Sequence, residues 1–474
     1  MYLKYKGPFA AGRSLMRKEV SVGLDVGTSA TKYTVIDLST GDVVARRRVE
    51  YARQDSAVGV VSMRMYTEAL EHLLGDLAQE FMVRSVALTT AWYSAISPTP
   101  GDDLVYQWNS IWERNPDVER ELRDYLDVSG CHIDILFPVY KLMTAHLLQN
   151  VTFKPHGMKE YLIEWLTGER ATDYSTASAS GLLDIRRRDW NEPLLDKLGY
   201  HREEMPRLLR HNTAFGEVKI EGESVVVVPG LGDGASASYA CKAVSEVAAN
   251  IGSTMAAREL SAVIRHDSPE RTWTFVVDES RYVNGGISSN GGSVLEWARK
   301  ANWGIDEVKV SQGGERFYPW LHGERSPFWS ADLRGSFTGI DVRTEMATLS
   351  AAIVKGVAFT LSRLINAMAH ARSCSNGVVV AGGGVRLSEM LRVVQGSVGV
   401  PLTILKSFDY LASDGAALSA AEALGMPLEL HHDVGMVLEP NDAFRDDYEK
   451  WIAEANSLAL GVYHVDPGSG TAIA

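Results

Sequence analysis

Cysteine is scarce in this chain. Cys131, Cys241 and Cys374 stand far apart with no C-x-x-C pair, which leaves neither a thiolate zinc motif nor a dithiol redox motif. Reduced, buried thiols in a cytoplasmic protein are the expectation. Basic charge is also short: 47 Lys and Arg face 60 Asp and Glu, a formal net charge of −13. Binding to a nucleic-acid backbone needs the opposite balance, so no nucleic-acid partner is expected. Long apolar runs are missing too. The stretch around Ile353–Leu361 is broken by Lys355 and stops at Arg363, well short of the ~20 residues of a membrane helix, so no membrane partner is expected. Lys4, Lys6, Arg13, Arg17 and Lys18 crowd the start, but Gly7, Pro8 and Gly12 interrupt any signal-peptide core. Residues 1–18 therefore read as a flexible extension, with Met16 a second candidate start. No H-E-x-x-H occurs, and no Pro-, Gly- or Ser-rich linker divides the chain.

What is present is enough for two cores, since 474 residues at 45% apolar content exceed what one core usually organises. Val20–Leu24, Tyr33–Leu38 and Val43–Val49 are rich in β-branched residues and parted by glycine turns, which predicts an antiparallel opening. Helical spacing runs from Tyr66 to Met82, and Val83–Thr89 and Val225–Val228 read as strands. Val247–Ile251, Gly252-Ser253-Thr254 and Met255–Leu260 then repeat the strand, Gly-hydroxyl turn, strand plan of Leu24 to Val35. Leu349–Ala371, Leu387–Val398 and Ser413–Leu424 read as helices around a buried strand, Val378–Ala381. Two α/β lobes of like construction facing one cleft are predicted, over 19–244 and 245–474.

Four segments could carry chemistry. Asp25-Val26-Gly27-Thr28-Ser29, with Lys32 behind it, offers backbone N–H groups, hydroxyls and a cation to a phosphate, and Asp25 could hold Mg²⁺ through water. An ordinary hairpin has the same letters. Asp233, flanked by Gly232 and Gly234 at a strand end, could orient and deprotonate an attacking hydroxyl, or simply cap the next helix. Gly252-Ser253-Thr254 could contact phosphates from the other side, and Gly382-Gly383-Gly384 could let a base lie against bare backbone, although glycine runs also serve close packing. Trp92, Tyr93, Trp108 and Trp112 could wall a sugar site or belong to the core. The order of the four segments, rather than any one of them, carries the signal.

Assembled in that order, the chain resembles the FGGY carbohydrate kinases from about Val20 to about Pro427. The first phosphate motif is matched by Gly23 to Lys32, the catalytic aspartate by Asp233, and the second phosphate motif by Gly252-Ser253-Thr254. Leu166-Thr167-Gly168-Glu169, Thr172-Asp173-Tyr174-Ser175, Asn290-Gly291-Gly292-Ser293-Val294-Leu295-Glu296-Trp297 and Gly323-Glu324-Arg325-Ser326-Pro327 are similar to further family signatures, with the gluconate kinase and xylulokinase branch closest in pattern. The resemblance implies an actin-like, ribonuclease-H-like fold in both lobes, and ATP with Mg²⁺ in the cleft. It implies phosphoryl transfer to a sugar, polyol or sugar acid, and allows a homodimer. Asp233 would be the base, and Asp25 and Asp233 would hold the metal. Gly27, Thr28, Ser29, Lys32, Gly252, Ser253, Thr254, Gly292, Glu296 and Gly382–Gly384 would bind the nucleotide; Trp92, Tyr93, Trp112 and Gly234 would join Asp233 at the substrate.

The sugar-reading motifs depart from the family. Ala91-Trp92-Tyr93-Ser94 stands where a Met-His stretch is usual, and Trp108-Asn109-Ser110-Ile111-Trp112 replaces Trp-x-Asp-x-Arg. Those changes predict a pocket more aromatic and less charged than usual, preferring neutral sugars and polyols to D-gluconate. They also leave open a non-catalytic sugar- or nucleotide-binding regulator descended from such kinases.

Overall fold

A computed structural model describes residues 2–3, 17–51, 59–99, 102–107, 110, 112–266, 269–368 and 377–463. Met16, Trp108, Asn109, Ile111 and Cys374 lie outside them. The first sheet comprises β1 (Tyr2–Leu3), β2 (Glu19–Val26), β3 (Ala30–Asp37), β4 (Val43–Glu50), β5 (Met82–Thr90), β6 (Gly216–Ile220) and β7 (Glu223–Val228), in the order β1-β6-β7-β5-β2-β3-β4. The second comprises β8 (Val247–Ile251), β9 (Met255–Ser261), β10 (Trp273–Val276), β11 (Tyr282–Ser288), β12 (Val378–Ala381), β13 (Leu402–Leu405) and β14 (Val434–Leu438), in the order β10-β11-β9-β8-β12-β13-β14.

The two sheets share one plan. In the first, β2 pairs antiparallel with β3, β3 antiparallel with β4, and β2 runs parallel to β5, which runs parallel to β7. In the second, β8 pairs antiparallel with β9, β9 antiparallel with β11, and β8 runs parallel to β12, which runs parallel to β13. The strand-turn-strand likeness between Leu24 and Val35 and between Val247 and Leu260 is thus a likeness of whole sheets. Strands covered on both faces need no polar alternation, which is why Val378–Ala381 is uniformly apolar and buried.

Nine helices concern the site and its frame: α1 (Met63–Glu80), α2 (Pro116–Leu126), α3 (Met158–Thr167), α4 (Tyr174–Ser180), α5 (Asp233–Cys241), α6 (Gly292–Lys300), α7 (Met346–Ala367), α8 (Ser388–Val398) and α9 (Leu411–Glu422). Helix α1 begins before the expected Tyr66, because the Ser62 hydroxyl accepts from the Arg64 N–H and caps an earlier start. Helix α7 is the one described helix long and apolar enough to cross a membrane, yet most of that length is buried in the second core.

Two findings add to the expected organisation. Tyr2–Leu3, expected within a flexible extension, form an edge strand paired with Lys219 and Ile220, because β6 otherwise presents unpaired N–H and C=O groups. More consequentially, α9 comes from the second half of the chain but packs on β2, β3 and β5 of the first sheet. A division at residue 244 therefore does not divide the packing. Gly23 permits the crossing: a Cβ there would lie 2.1 Å from the Ser413 carbonyl oxygen. Buried Asp414 on α9 receives Thr34 Oγ1 at 2.7 Å and Arg46 Nε at 2.8 Å, fixing the helix by charge as well as shape.

Candidate active site

The β2–β3 turn is tight because the Gly27 N–H donates to the Ala30 carbonyl at 3.0 Å. It places Asp25 beside Lys32 on one neighbouring strand and Thr89 on the other. Opposite, Asp233 opens α5 immediately after β7, with its Oδ1 accepting from the Gly234 N–H at 2.7 Å. A cavity of about 410 Å³ brings together Asp25, Gly27, Thr28, Lys32, Trp92, Tyr93, Asp233, Gly234, Thr254 and Gly382. Of the expected residues near it, Ser29 sits at the exposed tip of its turn and does not line this cavity. Lys32 donates to the Asp409 carbonyl at 2.8 Å, so the expected phosphate ligand already ties the two halves together.

A larger adjoining cavity, about 1120 Å³, is lined by Gly252, Ser253, Gly292, Glu296, Gly383 and Gly384. The Gly252–Thr254 turn and the triple glycine thus border both spaces. Their glycines are sterically required at two close approaches: a Cβ on Gly384 would lie 2.1 Å from Ile251 Cγ2, and one on Gly292 would lie 2.7 Å from the Gly252 carbonyl.

Trp112 is the expected substrate residue that the structure removes. Its ring packs on Tyr106 and Phe153, 5.5 and 6.2 Å away, and its indole N–H donates to Ser110 Oγ at 2.9 Å. It fills the flank of a small sheet instead of walling the cleft. Trp92 is mostly core as well, edge-on to Trp273 and Phe275 at 5.6 and 5.1 Å. Only a margin of it faces the cavity. The loop bearing Asp233 lies directly on it, since a Cβ on Gly234 would come within 2.7 Å of that ring and 2.5 Å of Arg258 Nε.

The pocket also carries charge to which sequence reading assigned no role. Arg258 on β9 and Arg325 line it alongside Asp233. Arg258 Nη1 donates to Asn250 Oδ1 at 2.7 Å, while its Nε is buried without a partner, as are Trp92 Nε1 and Thr89 Oγ1. Arg325 Nε reaches Asp134 Oδ1 at 3.3 Å, and its Nη1 donates to Ser289 Oγ.

Electrostatics single out the two carboxylates. Burial and the neighbouring Asp233 charge push the Asp25 carboxyl up to about 7, against the opposing pull of Lys32. Burial likewise raises Asp233, with Arg258 the largest effect holding it down. Two buried carboxylates, one of them raised by the charge of the other, form a site that a divalent cation would stabilise. Among the described residues no cluster of three or more His, Cys, Asp or Glu offers an all-protein cage. A largely hydrated Mg²⁺ fits that sparse donor set.

The motif Thr172-Asp173-Tyr174-Ser175 supports the loop that carries Asp233. Lys159 on α3, fully buried, donates to Asp173 at 2.5 Å and to the Gly230 carbonyl at 2.9 Å. Ser175 Oγ donates to Asp173 at 2.5 Å and accepts from the Gly232 N–H at 3.0 Å. Asn290 and Glu324 similarly lock two other motifs together, Asn290 Nδ2 donating to the Gly323 carbonyl at 2.7 Å and Ser288 Oγ to Glu324 at 3.0 Å. Sequence reading assigned no role to Lys159, Arg258 or Arg325.

Comparison with known proteins agrees with this geometry. The N-terminal domain of the FGGY family of carbohydrate kinases matches residues 106–239, and its C-terminal domain matches residues 253–424. Asp25 and its turn precede the matched segments but are joined to them through β5 and β7. A gluconokinase of Bacillus subtilis is 25% identical over 420 residues, covering 78% of this chain and 81% of its own length. Two solved structures from Lactobacillus acidophilus share the fold. A xylulose kinase aligns with a TM-score of 0.81 at 22% identity, covering 94% of this chain and 99% of its own. A gluconate kinase aligns at 0.80 and 22%, covering 93% and 98%. With both domains matched and both sheets built on one plan around the Asp25–Asp233 cleft, the chain belongs to the FGGY family of carbohydrate kinases, ATP-dependent phosphotransferases with two actin-like, ribonuclease-H-like lobes.

Proposed function

We propose that this kinase phosphorylates a hydroxyl of a sugar acid, with Asp233 as general base and Arg258 and Arg325 receiving the substrate carboxylate. The observation that carries the substrate class is the pair of arginines, Arg258 and Arg325, that line the cleft with Trp92, Tyr93, Leu136 and Asp233. Guanidinium forks match carboxylates, and an anion desolvated there meets compensating charge. The gluconokinase relative supports the same reading. Asp233 takes the proton from the attacking oxygen. Thr28 and Lys32 from one sheet, with Ser253 and Thr254 from the other, stabilise charge on the transferring group. Asp25 and Asp233 would hold Mg²⁺, which when bound neutralises nucleotide phosphate charge. The lobes 19–244 and 245–474 are proposed as the sugar-binding and nucleotide-binding halves, with α9 lent by the second to the first.

Asp233→Asn should lower turnover by about 10²–10⁴-fold, the range for losing a positioned base, while MgATP binding persists. Coupled ADP release with D-gluconate, alongside calorimetric titration of the nucleotide, separates the two. Retention of most of the turnover in the Asn variant would remove Asp233 from the role.

A further inference from the structure

A second basic cavity lies away from the phosphoryl-transfer site. About 690 Å³ in volume, it is lined by Arg114, Arg123 and Arg186 from the first half of the chain and Arg271 from the second, over a floor formed by His132 and Trp329. Two acids share the lining, Glu119 and Asp127. Glu119 is engaged by Arg114 at 2.5 Å, so positive charge remains in excess. The His132 and Trp329 rings pack on one another, centroids 4.4 Å apart at 33°, so the cavity meets half-buried His132 and the margin of buried Trp329. Both are anchored: His132 Nε2 contacts the Thr272 carbonyl at 3.2 Å, and the Trp329 indole N–H donates to the Arg271 carbonyl at 2.8 Å. None of these residues belongs to the proposed catalytic or nucleotide-binding set.

We infer that this cavity is a second ligand site, taking a phosphorylated sugar whose phosphoryl group meets the arginines and whose ring lies on the His132–Trp329 floor. With Arg114 paired to Glu119, Arg123, Arg186 and Arg271 still outnumber Asp127 in the lining, and a dianion would offset that positive excess. The phosphoryl group supplies the charge and the oxygens for several two-pronged contacts, while the apolar face of a sugar ring covers the aromatic floor.

The cavity is wired to the catalytic cleft. Trp329 faces Phe137 at 6.0 Å, and Phe137 meets Tyr93, a cleft residue, edge-on at 5.3 Å. The segment that supplies Cys131, His132 and Ile133 to this cavity also supplies Asp134, which pairs with Arg325, and Leu136, which lines the cleft. A ligand that fixes His132 and Trp329 therefore constrains the partner of a substrate-binding arginine. Occupancy should alter the apparent KM for sugar more than kcat.

The test is calorimetric titration of D-glucose 6-phosphate, with inorganic phosphate in parallel, into the full chain and into two variants at exposed positions, Arg186→Glu with Arg271→Glu, and Arg123→Glu. The expected result is one site on the wild type, at least about fivefold tighter for the sugar phosphate than for phosphate, and about tenfold or more weaker in each variant. Arg258→Gln should bind the probe as the wild type does. Kinase assays should show KM for the sugar shifting with the probe in the wild type and not in the variants, with their basal activity and melting temperature unchanged. Absence of binding to the wild type, or binding undiminished by the Glu substitutions, would overturn the site. Loss of binding on Arg258→Gln would place the probe in the catalytic cleft and overturn it equally, and equal affinity for phosphate and sugar phosphate would overturn the role of the aromatic floor.

Discussion

Arg258 shows how one side chain can serve both halves of a reaction. It is the largest influence holding the Asp233 carboxyl down against burial, and its Nε is buried without a partner against Gly234 in the loop that carries Asp233. Arg258→Gln should therefore raise KM for a sugar acid by about 10-fold or more, as expected for loss of a charged hydrogen bond. It should also move the acidic limb of the kcat/KM profile to higher pH, since Asp233 must lose its proton to act and would hold it more tightly. A raised KM with an unmoved limb would separate Arg258 from Asp233. Asp25 allows a stability test. Its folded-state pKa, about 7, lies above the ordinary carboxylate value, so the folded protein binds this proton more tightly than the unfolded chain. The contribution to stability is then greatest at low pH and declines as pH rises through about 7. Asp25→Asn should melt higher than the wild type at pH 8, with the gap closing toward pH 5, while activity is lost; equal melting at both pH values would contradict the buried-charge account. At this scale the sequence was legible where glycine flanked the functional group, as at Gly27 and around Asp233. It was silent at Arg258, whose signal was only a cation within the apolar strand Met255–Ser261, and at Lys159, which works through Asp173. Trp112 misled because aromatic clustering looks the same whether it walls a ligand or a core.

Helices and strands were foreseeable from their periodicity, but the partner of α9 was not. Its alanine-rich sequence gives no preferred face, and its docking site on β2 and β3 lies nearly 400 positions earlier, as the bond from Thr34 on β3 to Asp414 with its separation of 380 shows. The docking depends on two glycines: a Cβ on Gly23 would sit 2.1 Å from the Ser413 carbonyl, and one on Gly415 would sit 2.0 Å from the Ser236 carbonyl. Backbone atoms cannot step aside as a side chain does. Gly23→Ala should cost about 1–3 kcal/mol, the usual range for overpacking, read as a lower midpoint in urea denaturation. An unchanged midpoint would mean that α9 is not pressed on β2. The same substitution should also reduce turnover, because β2 carries Asp25 two residues further on.

For the molecule as a whole, the recurrence of one sheet plan explains why Gly-hydroxyl turns come in a pair. Each sheet contributes the turn between its first two core strands, Gly27–Ser29 and Gly252–Thr254, and the triple glycine follows a parallel strand of the second. Groups from both halves can meet one nucleotide only if the halves approach, so MgATP with substrate should reduce the radius of gyration in solution scattering, and an unchanged radius at saturation would count against a closing cleft. The repeat was visible in the sequence as a likeness of two turns; the charge of the substrate pocket was not, because its arginines come from separate strands and loops that only the fold assembles. That charge decides the substrate class, and one comparison tests it. Measured by coupled ADP release on the wild-type protein, kcat/KM for D-gluconate should exceed that for D-xylulose and for glycerol by about tenfold or more, the scale of at least one extra charged contact realised in the transition state. A neutral sugar leading D-gluconate by the same margin would contradict the assignment of Arg258 and Arg325 to a substrate carboxylate.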